Sequence, residues 1–305
     1  MLGSFEDSED LVQETFLRAW RKRESFEGRS TFRAWLYWIA TNACLDFLDR
    51  ERRRPLPRRV MPIADLQFSV RPPAEIPWLQ PYPDRLLEPL APSDAEPEAA
   101  LVAKETIELA FLAAIQHLPP RQRAVLILRD VLGWSANETA ALLEVSIAAV
   151  KSALQRARPT LKQHLPEQRL HWAPSSEPTA EERALLQRYM DATEQADINA
   201  LAELLREDAL LTMPPHPMWY MGRAAILALT ADVFDPASPM YLGHWRSVPT
   251  RANRQPAAAH YVQRRGELAY RAQCLDVLRI EEGKVAEIIT FVPELFGAFS
   301  LPPTL

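Results

Sequence analysis

Eleven of the chain's 27 prolines fall between residues 55 and 97 of its 305. Proline has no amide hydrogen and fixes φ near −65°, so a stretch this rich in it forms neither a helix nor a central strand. The segment therefore cuts the molecule. What folds before it and what folds after it must build their elements apart, and the stretch itself, mixed with acidic and small residues, reads as a long, partly extended linker. A second break, PEQRLHWAPSSEPTAEE at 166–182, separates a further region. The chain is long enough for two domains, each with its own core.

The pieces differ in periodicity. Before the linker, Val12, Phe16 and Ala19 recur at helical spacing, as do Phe32, Trp35, Leu36, Ile39, Ala43 and Phe47. SFEGRST interrupts them, with Gly28 breaking the pattern and Ser30 offered as a cap. Residues 98–165 return to helical spacing. After the second break, a helical stretch over 179–206 gives way to ALLTMP, AAAHYV, AYRAQCLDVLRI and KVAEIITFV, which read as strands. EEGK forms a tight hairpin turn between the last two. The fold class is thus multidomain, all-α followed by α+β.

Within the second helical block, GWSANETAALLEVSIAAVKSALQRARPTLK (133–162) carries the chemistry. Ser135-Ala-Asn-Glu138 is a capping box that starts a short helix, and Ser146 caps a second. In the second helix Ile147, Val150, Leu154, Ala157 and Leu161 form one apolar stripe. The remaining arc carries Lys151, Ser152, Gln155, Arg156, Arg158 and Lys162, with no acid among them. Ala140 is small enough for the two helices to pack closely. These are the requirements of a helix-turn-helix, whose second helix offers its first turns to the major groove. Lysine and arginine reach guanine acceptors or phosphates, glutamine pairs with adenine, and serine suits either. A plain helical hairpin with a solvated basic face fits the same periodicity. Two residues strain the pattern: Glu144 stands where the turn favours glycine, and Pro159 should kink or end the helix near Arg158.

Charge is segregated in a way the net −5 hides: +2 over residues 1–60, −6 over 61–114, +4 over 115–165 and −5 over 166–305. A polyanion responds to such local blocks. RERRRPLPRR (50–59) sets six arginines, Arg50, Arg52 and Arg53 among them, against one glutamate. Just upstream lie Phe26, Phe32, Trp35, Tyr37 and Trp38, and aromatic faces beside arginines are what unpaired bases stack on. By spacing Trp35 belongs to the apolar stripe and Trp38 lies off it, which makes Trp38 the stacking candidate. Cys44 and Cys274 have no metal-ligand spacing, so neither a metal site nor a disulfide framework is expected. No apolar run is long enough to span a membrane, and MLGSFEDSED lacks the order of a signal peptide. A cytoplasmic protein with no cofactor is the expectation.

DSEDLVQETFLRAWRKRESFEGRSTFRAWLYWIATNACLDFLDRERRRP and LPPRQRAVLILRDVLGWSANETAALLEVSIAAVKSALQRARPTLK resemble the second and fourth regions of extracytoplasmic-function sigma factors. EIPWLQPYPD, TMPPHPMWYMGR, VPTRANRQPAAAHY and FVPELFGAFSLP are similar to a subgroup with an added SnoaL-like domain of the nuclear-transport-factor-two (NTF2) fold. The resemblance implies sigma region two over 1–54, a linker over 55–97, region four over 98–166 and a SnoaL-like, cone-shaped domain over 175–305. Asp10, Gln13, Glu14 and Arg18 match the segment that docks on core RNA polymerase. Phe26 to Arg33, including Arg29 and Ser30, together with Trp38 and Asn42, match the surface that captures the melted minus-ten element of promoter DNA. Ser146, Lys151, Ser152, Gln155, Arg156 and Arg158 match the minus-thirty-five reader. The acidic linker corresponds to a segment threaded through the polymerase toward the RNA exit path.

The family carries a further helix before DSEDLVQE, and its lack here is expected to uncover Val12 and Phe16 and to leave residues 1–54 poorly stable alone. In the added domain His216, Trp219, Tyr220 and Trp245 are the cavity candidates, with His244, His260, Asp191 and Asp276 as further polar ones. Spacing pairs no histidine with an aspartate. An intramolecular regulatory contact with the sigma regions, a ligand sensor and a cyclase-type or isomerase-type enzyme are the three uses of such a domain, the first favoured and the whole not expected to be an enzyme. An anti-sigma protein is a compatible partner, and a promoter-binding regulator independent of polymerase is the rival class.

Overall fold

The computed structural model describes residues 1–26, 28, 31–51, 79–87, 109–164, 178–214, 216 and 218–305. These divide into two compact units, one built from 1–51 and 109–164, the other from 79–87 and 178–305.

In the first unit, helix α1 (Phe5–Arg21) starts at Ser4, whose hydroxyl accepts from the Asp7 amide at 3.2 Å. Acidic Glu6 and Asp7 open the helix and Arg18 and Arg21 close it, matching its dipole. It packs on α2 (Phe32–Glu51), which buries Ile39 and Ala43. Val12 and Phe16 are exposed, as expected, and so are Leu17 and Trp20. Phe32, placed on the apolar stripe by spacing, is 58% exposed at the start of α2.

Helices α3 (Leu109–Gln116) and α4 (Pro120–Leu126) follow, and α4 runs into a π-helical turn, Ile127–Val131. Two more helices, α5 (Ala136–Leu143) and α6 (Ile147–His164), complete the unit. Ile115, Leu118, Val125, Leu126, Ala140, Val150, Leu154 and Ala157 bury together as their core. Helix α6 does not end near Arg158. It continues through Pro159 to His164. The Thr160 hydroxyl donates to the Arg156 carbonyl at 3.3 Å, beside the gap left by the missing proline amide, where Arg158 and Pro159 are exposed.

The second unit opens with α7 (Ala180–Glu194) and α8 (Ile198–Leu204). One helix was expected over this stretch. The break lies at Ala196, with φ of 53°, and at Asp197, whose carboxylate caps α8 by accepting from the Asn199 and Ala200 amides, both at 3.0 Å. Six strands form one sheet: β1 (Leu205–Thr212), β2 (Trp219–Met221), β3 (His244–Ala252), β4 (Gln255–Gln263), β5 (Arg271–Glu281) and β6 (Lys284–Phe291). Helix α9 (Arg223–Phe234) lies between β2 and β3 in sequence. The order is β2-β1-β6-β5-β4-β3, with β1 and β6 parallel and every other pair antiparallel. Helices α7, α8 and α9 pack on this sheet and give the α+β architecture that the resemblance implies.

The turn expected at EEGK is a two-residue loop, Glu282-Gly283, both residues at positive φ. A second such loop, Asn253-Arg254, joins β3 to β4. Strand β3 escapes the sequence pattern because Pro249 interrupts it. As the edge strand, β3 tolerates a residue that cannot donate to the ladder. Gly243, just before β3, has φ of 132°, and a Cβ there would meet the Gln263 carbonyl oxygen at 2.2 Å. No larger residue fits.

Residues 79–87 of the linker are held by this unit. Tyr82 and Asn253 exchange bonds, the Tyr82 amide donating to Asn253 Oδ1 at 2.6 Å and the Asn253 amide to the Tyr82 carbonyl at 2.9 Å. Asp84 accepts from the Arg254 amide at 2.6 Å and faces Arg251 Nε at 3.1 Å, while Arg85 donates to the Ala298 carbonyl at 2.7 Å. Leu79 and Leu87 are buried at either end. An unattached spacer was expected here; instead, two buried leucines and the β3–β4 turn, through the Asn253 and Arg254 amides, hold the strap. The rest of that proline-rich segment lies outside the described residues.

Candidate nucleic-acid interface

The two short helices of the second helical block form by the bonds their sequence announces. Ser135 Oγ accepts from the Glu138 amide at 3.1 Å, and Glu138 Oε2 accepts from the Ser135 amide at 2.7 Å. Those bonds hold the Glu138 carboxyl below its usual range. Helix α5 then stops at Glu144, which is left-handed with φ 54° and ψ 44°, and the Val145 amide returns to the Ala140 carbonyl at 3.0 Å. Ser146 Oγ caps α6 by accepting from the Ala149 amide at 3.1 Å. Glu144→Gly removes the left-handed penalty of a Cβ, and thermal unfolding is expected to show a gain of about 0.5–1 kcal/mol with the turn unchanged.

Helix α6 presents Lys151, Gln155 and Arg156 to solvent, with Ser152 half-buried between them. Arg156 Nη1 donates to Ser152 Oγ at 2.6 Å, which holds the guanidinium over the first turns. Residues 146–149 are all exposed, so the helix's N-terminal turn is open. Ile147 is the apolar member of that turn: spacing placed it on the buried stripe, but it is 44% exposed. Arg158 differs from its neighbours. Its fork closes on Asp130 of the π-helical turn at 2.9 and 3.0 Å, and that carboxylate raises its pKa. It braces the hairpin.

In the N-terminal helices the aromatic residues gather. Phe26, Phe32 and Trp35 form a triangle with ring centres 5.3–5.9 Å apart. Lys22 Nζ stands 5.5 Å from the Trp38 ring and the Arg33 guanidinium 5.6 Å from Tyr37, distances at which the ring quadrupole attracts a cation. Trp35 is only half-buried and lines the same open groove as Trp38, beside Arg21 and Lys22. The division into a core Trp35 and a stacking Trp38 does not hold. Asn42 is half-buried and Arg50 exposed, whereas Arg29, Ser30, Arg52 and Arg53 lie outside the described residues. On α1, Asp10 and Gln13 are exposed, and Glu14 pairs with Arg18 at 2.7 Å, a bond that lowers the glutamate's pKa.

The four cavity candidates of the second unit do not converge on a polar centre. His216 is exposed in the β1–β2 connection, Trp219 is half-buried, and Tyr220 is buried in the apolar cluster on which Trp245 also packs. The buried polar centre is His260 with Asp276. Nε2 of His260 lies 3.2 Å from Asp276 Oδ2, and Nδ1 meets Ser247 Oγ at 3.0 Å. Tyr189 on α7 donates to Asp276 Oδ2 at 2.7 Å, and Thr290 donates to Oδ1 at 2.7 Å. Burial pushes the Asp276 carboxyl up, but its bonds to His260, Thr290 and Tyr189 outweigh that and hold it below the usual range. Burial and the neighbouring carboxylate push Tyr189 well up, so it stays a donor. Only the tertiary fold brings these residues together, since they come from α7, β3, β4, β5 and β6. Among the described residues no cluster of His, Cys, Asp or Glu is placed to hold a metal ion, and no helix is long and apolar enough to cross a membrane.

Comparison with known proteins agrees with this architecture. Residues 1–54 match the Sigma-70 region 2 family, 108–161 match Sigma-70 region 4, and 186–288 match the SnoaL-like domain family. The ECF RNA polymerase sigma factor SigG of Mycobacterium tuberculosis is 43% identical over 307 aligned residues, covering 100% of this chain and 80% of that protein. The ECF RNA polymerase sigma-E factor of Escherichia coli K12 is 31% identical over 152 residues, half of this chain and 70% of that one. Among solved structures, the Mycobacterium tuberculosis extracytoplasmic function sigma factor SigJ superposes over 99% of this chain and 93% of its own with a TM-score of 0.60 at 20% identity, a likeness of fold. With its helix-turn-helix, its aromatic N-terminal surface and its SnoaL-like domain in that order, the chain belongs to the ECF RNA polymerase sigma factor family.

Proposed function

We propose that this sigma factor reads the minus-thirty-five element through the first turns of α6, with Lys151, Gln155 and Arg156 as the groove-facing residues, Ser146 and Ser152 beside them, and Ile147 against a thymine methyl. The open N-terminal turn of α6 with its clasped Arg156 carries the reading. Arg158 acts as a brace, not a reader. Trp35, Trp38 and Phe26, with Arg33, Asn42 and Arg50, form the surface that stacks the unpaired minus-ten strand. Asp10, Gln13 and the Glu14–Arg18 pair dock on core RNA polymerase in the cytoplasm.

The SnoaL-like domain is a regulatory module and not an enzyme. Asp276 and His260 are both buried, and the carboxylate is held by three groups of the protein itself, Tyr189, Thr290 and His260, which supports a structural use of the pair. Its grip on residues 79–87, which join the two sigma regions, gives it a lever on their spacing. Run-off transcription with purified core polymerase tests the whole reading, comparing the full chain with one ending near residue 170. The full chain should give promoter-specific transcripts only with polymerase, and the shortened chain a changed yield from the same start. Specific transcripts from neither would refute the sigma role; equal yields would refute the regulatory one.

A further inference from the structure

We propose that the SnoaL-like domain binds a small organic anion, an apolar body carrying one phosphate or carboxylate, in a cleft between its sheet edge and the linker strap. The inference rests on the regulatory reading of the domain and adds the chemistry of a ligand. The cleft has a volume of about 580 Å³, within the roughly 300–1,000 Å³ that holds drug-sized molecules. Its walls come from the strap, the first turns of α7, the β3–β4 hairpin and the closing turn Pro293–Phe299. Pro83, Leu186, Pro256 and Phe299, all buried, give it an apolar lining built largely from rigid rings.

The charges on its walls do not balance. Arg85, Arg183 and Arg251 line the cleft against one carboxylate, Asp84, among its described residues. Asp84 is committed to the protein: Oδ2 faces Arg251 Nε at 3.1 Å, and Oδ1 accepts from the Arg254 amide. The other two guanidinium groups are fixed by neutral oxygens. Arg85 Nη2 donates to the Ala298 carbonyl at 2.7 Å, and Arg183 Nη1 to the Pro178 carbonyl at 2.6 Å. A carbonyl orients a guanidinium without cancelling its charge, and among the described residues no carboxylate pairs with either. The two cations thus stand beside an apolar lining, in a region whose net charge is −5. Arginine forks match phosphate and carboxylate oxygens in geometry as well as charge. Thr250 adds a hydroxyl. A nucleic-acid backbone would follow a charged track and make little use of an apolar recess. A ligand held by both Arg85 and Arg183 touches the strap and α7 together, so its binding adds to the bonds that hold residues 79–87.

The test is titration calorimetry of the full chain with naphthyl phosphate, beside naphthol and inorganic phosphate. Naphthyl phosphate should fill a single site at least about tenfold more tightly than either, since only it uses both the lining and the arginines. Arg183→Gln, on an exposed face of α7 and bonded to no strap residue, should weaken it about tenfold, and Arg183→Glu should abolish it. Arg188→Gln, exposed on the same helix outside the cleft, should leave it unchanged. Saturating naphthyl phosphate should also slow hydrogen exchange at the Tyr82 and Asn253 amides, which tie the strap to the β3–β4 turn. No saturable heat at millimolar ligand, or an affinity indifferent to Arg183→Glu, would overturn the site. Equal binding of naphthol or inorganic phosphate would overturn the ligand class, as would displacement by a short single-stranded oligonucleotide of equal affinity. Unchanged exchange at both amides would overturn the strap's part in it. Neither readout involves transcription, so a run-off yield indifferent to the domain would sink the regulatory reading alone.

Discussion

Asp276→Ala should destabilise the SnoaL-like domain by about 3–5 kcal/mol, the cost of removing the carboxylate on which a buried hydrogen-bonded cluster converges. Three groups lose their partner at once: the Tyr189 hydroxyl, the Thr290 hydroxyl and the His260 ring, of which Tyr189, on α7, and His260 are buried. Denaturant unfolding followed by the tryptophans of this unit measures the loss. The sign of the pH dependence follows from the depressed carboxyl. Its contribution is fully present above the unfolded carboxylate value of about 3.9 and is lost as pH falls through the lower folded value. Asp276→Asn should therefore flatten the stability profile on the acid side. Asp276→Asn unfolding as steeply with acid as the wild type would show that other carboxylates dominate.

Arg156→Ala should weaken recognition of the minus-thirty-five element by about 1–3 kcal/mol and relax base preference at one position. The Ser152 hydroxyl holds this guanidinium at 2.6 Å, so its orientation is set before DNA arrives. Arg156→Lys keeps the charge but loses the planar fork and should recover only part of the loss. Binding by holoenzyme to a panel of single-base variants gives the answer. Uniform weakening across the panel, with a salt slope reduced by about one, would instead make Arg156 a phosphate contact.

What the sequence disclosed divides by range. Features written within four or five residues were legible: the Ser135–Glu138 box, the Ser146 cap, the left-handed Glu144 and the Glu282-Gly283 turn all stand where local chemistry puts them. Amphipathic spacing located the buried members Val150, Leu154 and Ala157, yet it erred at ends, where Ile147 and Phe32 sit beyond the last covering neighbour. Propensity also misled where context overrides it: Pro159 remains inside an exposed helix, and Pro249 inside an edge strand. The linker strap was hidden because its partners, the Asn253 side chain and the Arg254 amide, belong to a turn about 170 residues away, which no periodicity marks. For the same reason His260 and Asp276 stood as separate candidates. They sit diagonally across a regular part of the β4–β5 ladder, Ala258 opposite Asp276 and His260 opposite Cys274, a pairing that spacing along the chain does not mark.

The central claim is that two separate surfaces of one chain, α6 and the aromatic face of α2, grip two elements of the same promoter when the chain is bound to core polymerase. Hydroxyl-radical footprinting of the reconstituted holoenzyme measures this directly. The account requires two protected patches about 25 base pairs apart, both absent when polymerase is omitted. Protection at neither patch, or full protection by the chain alone, would contradict it.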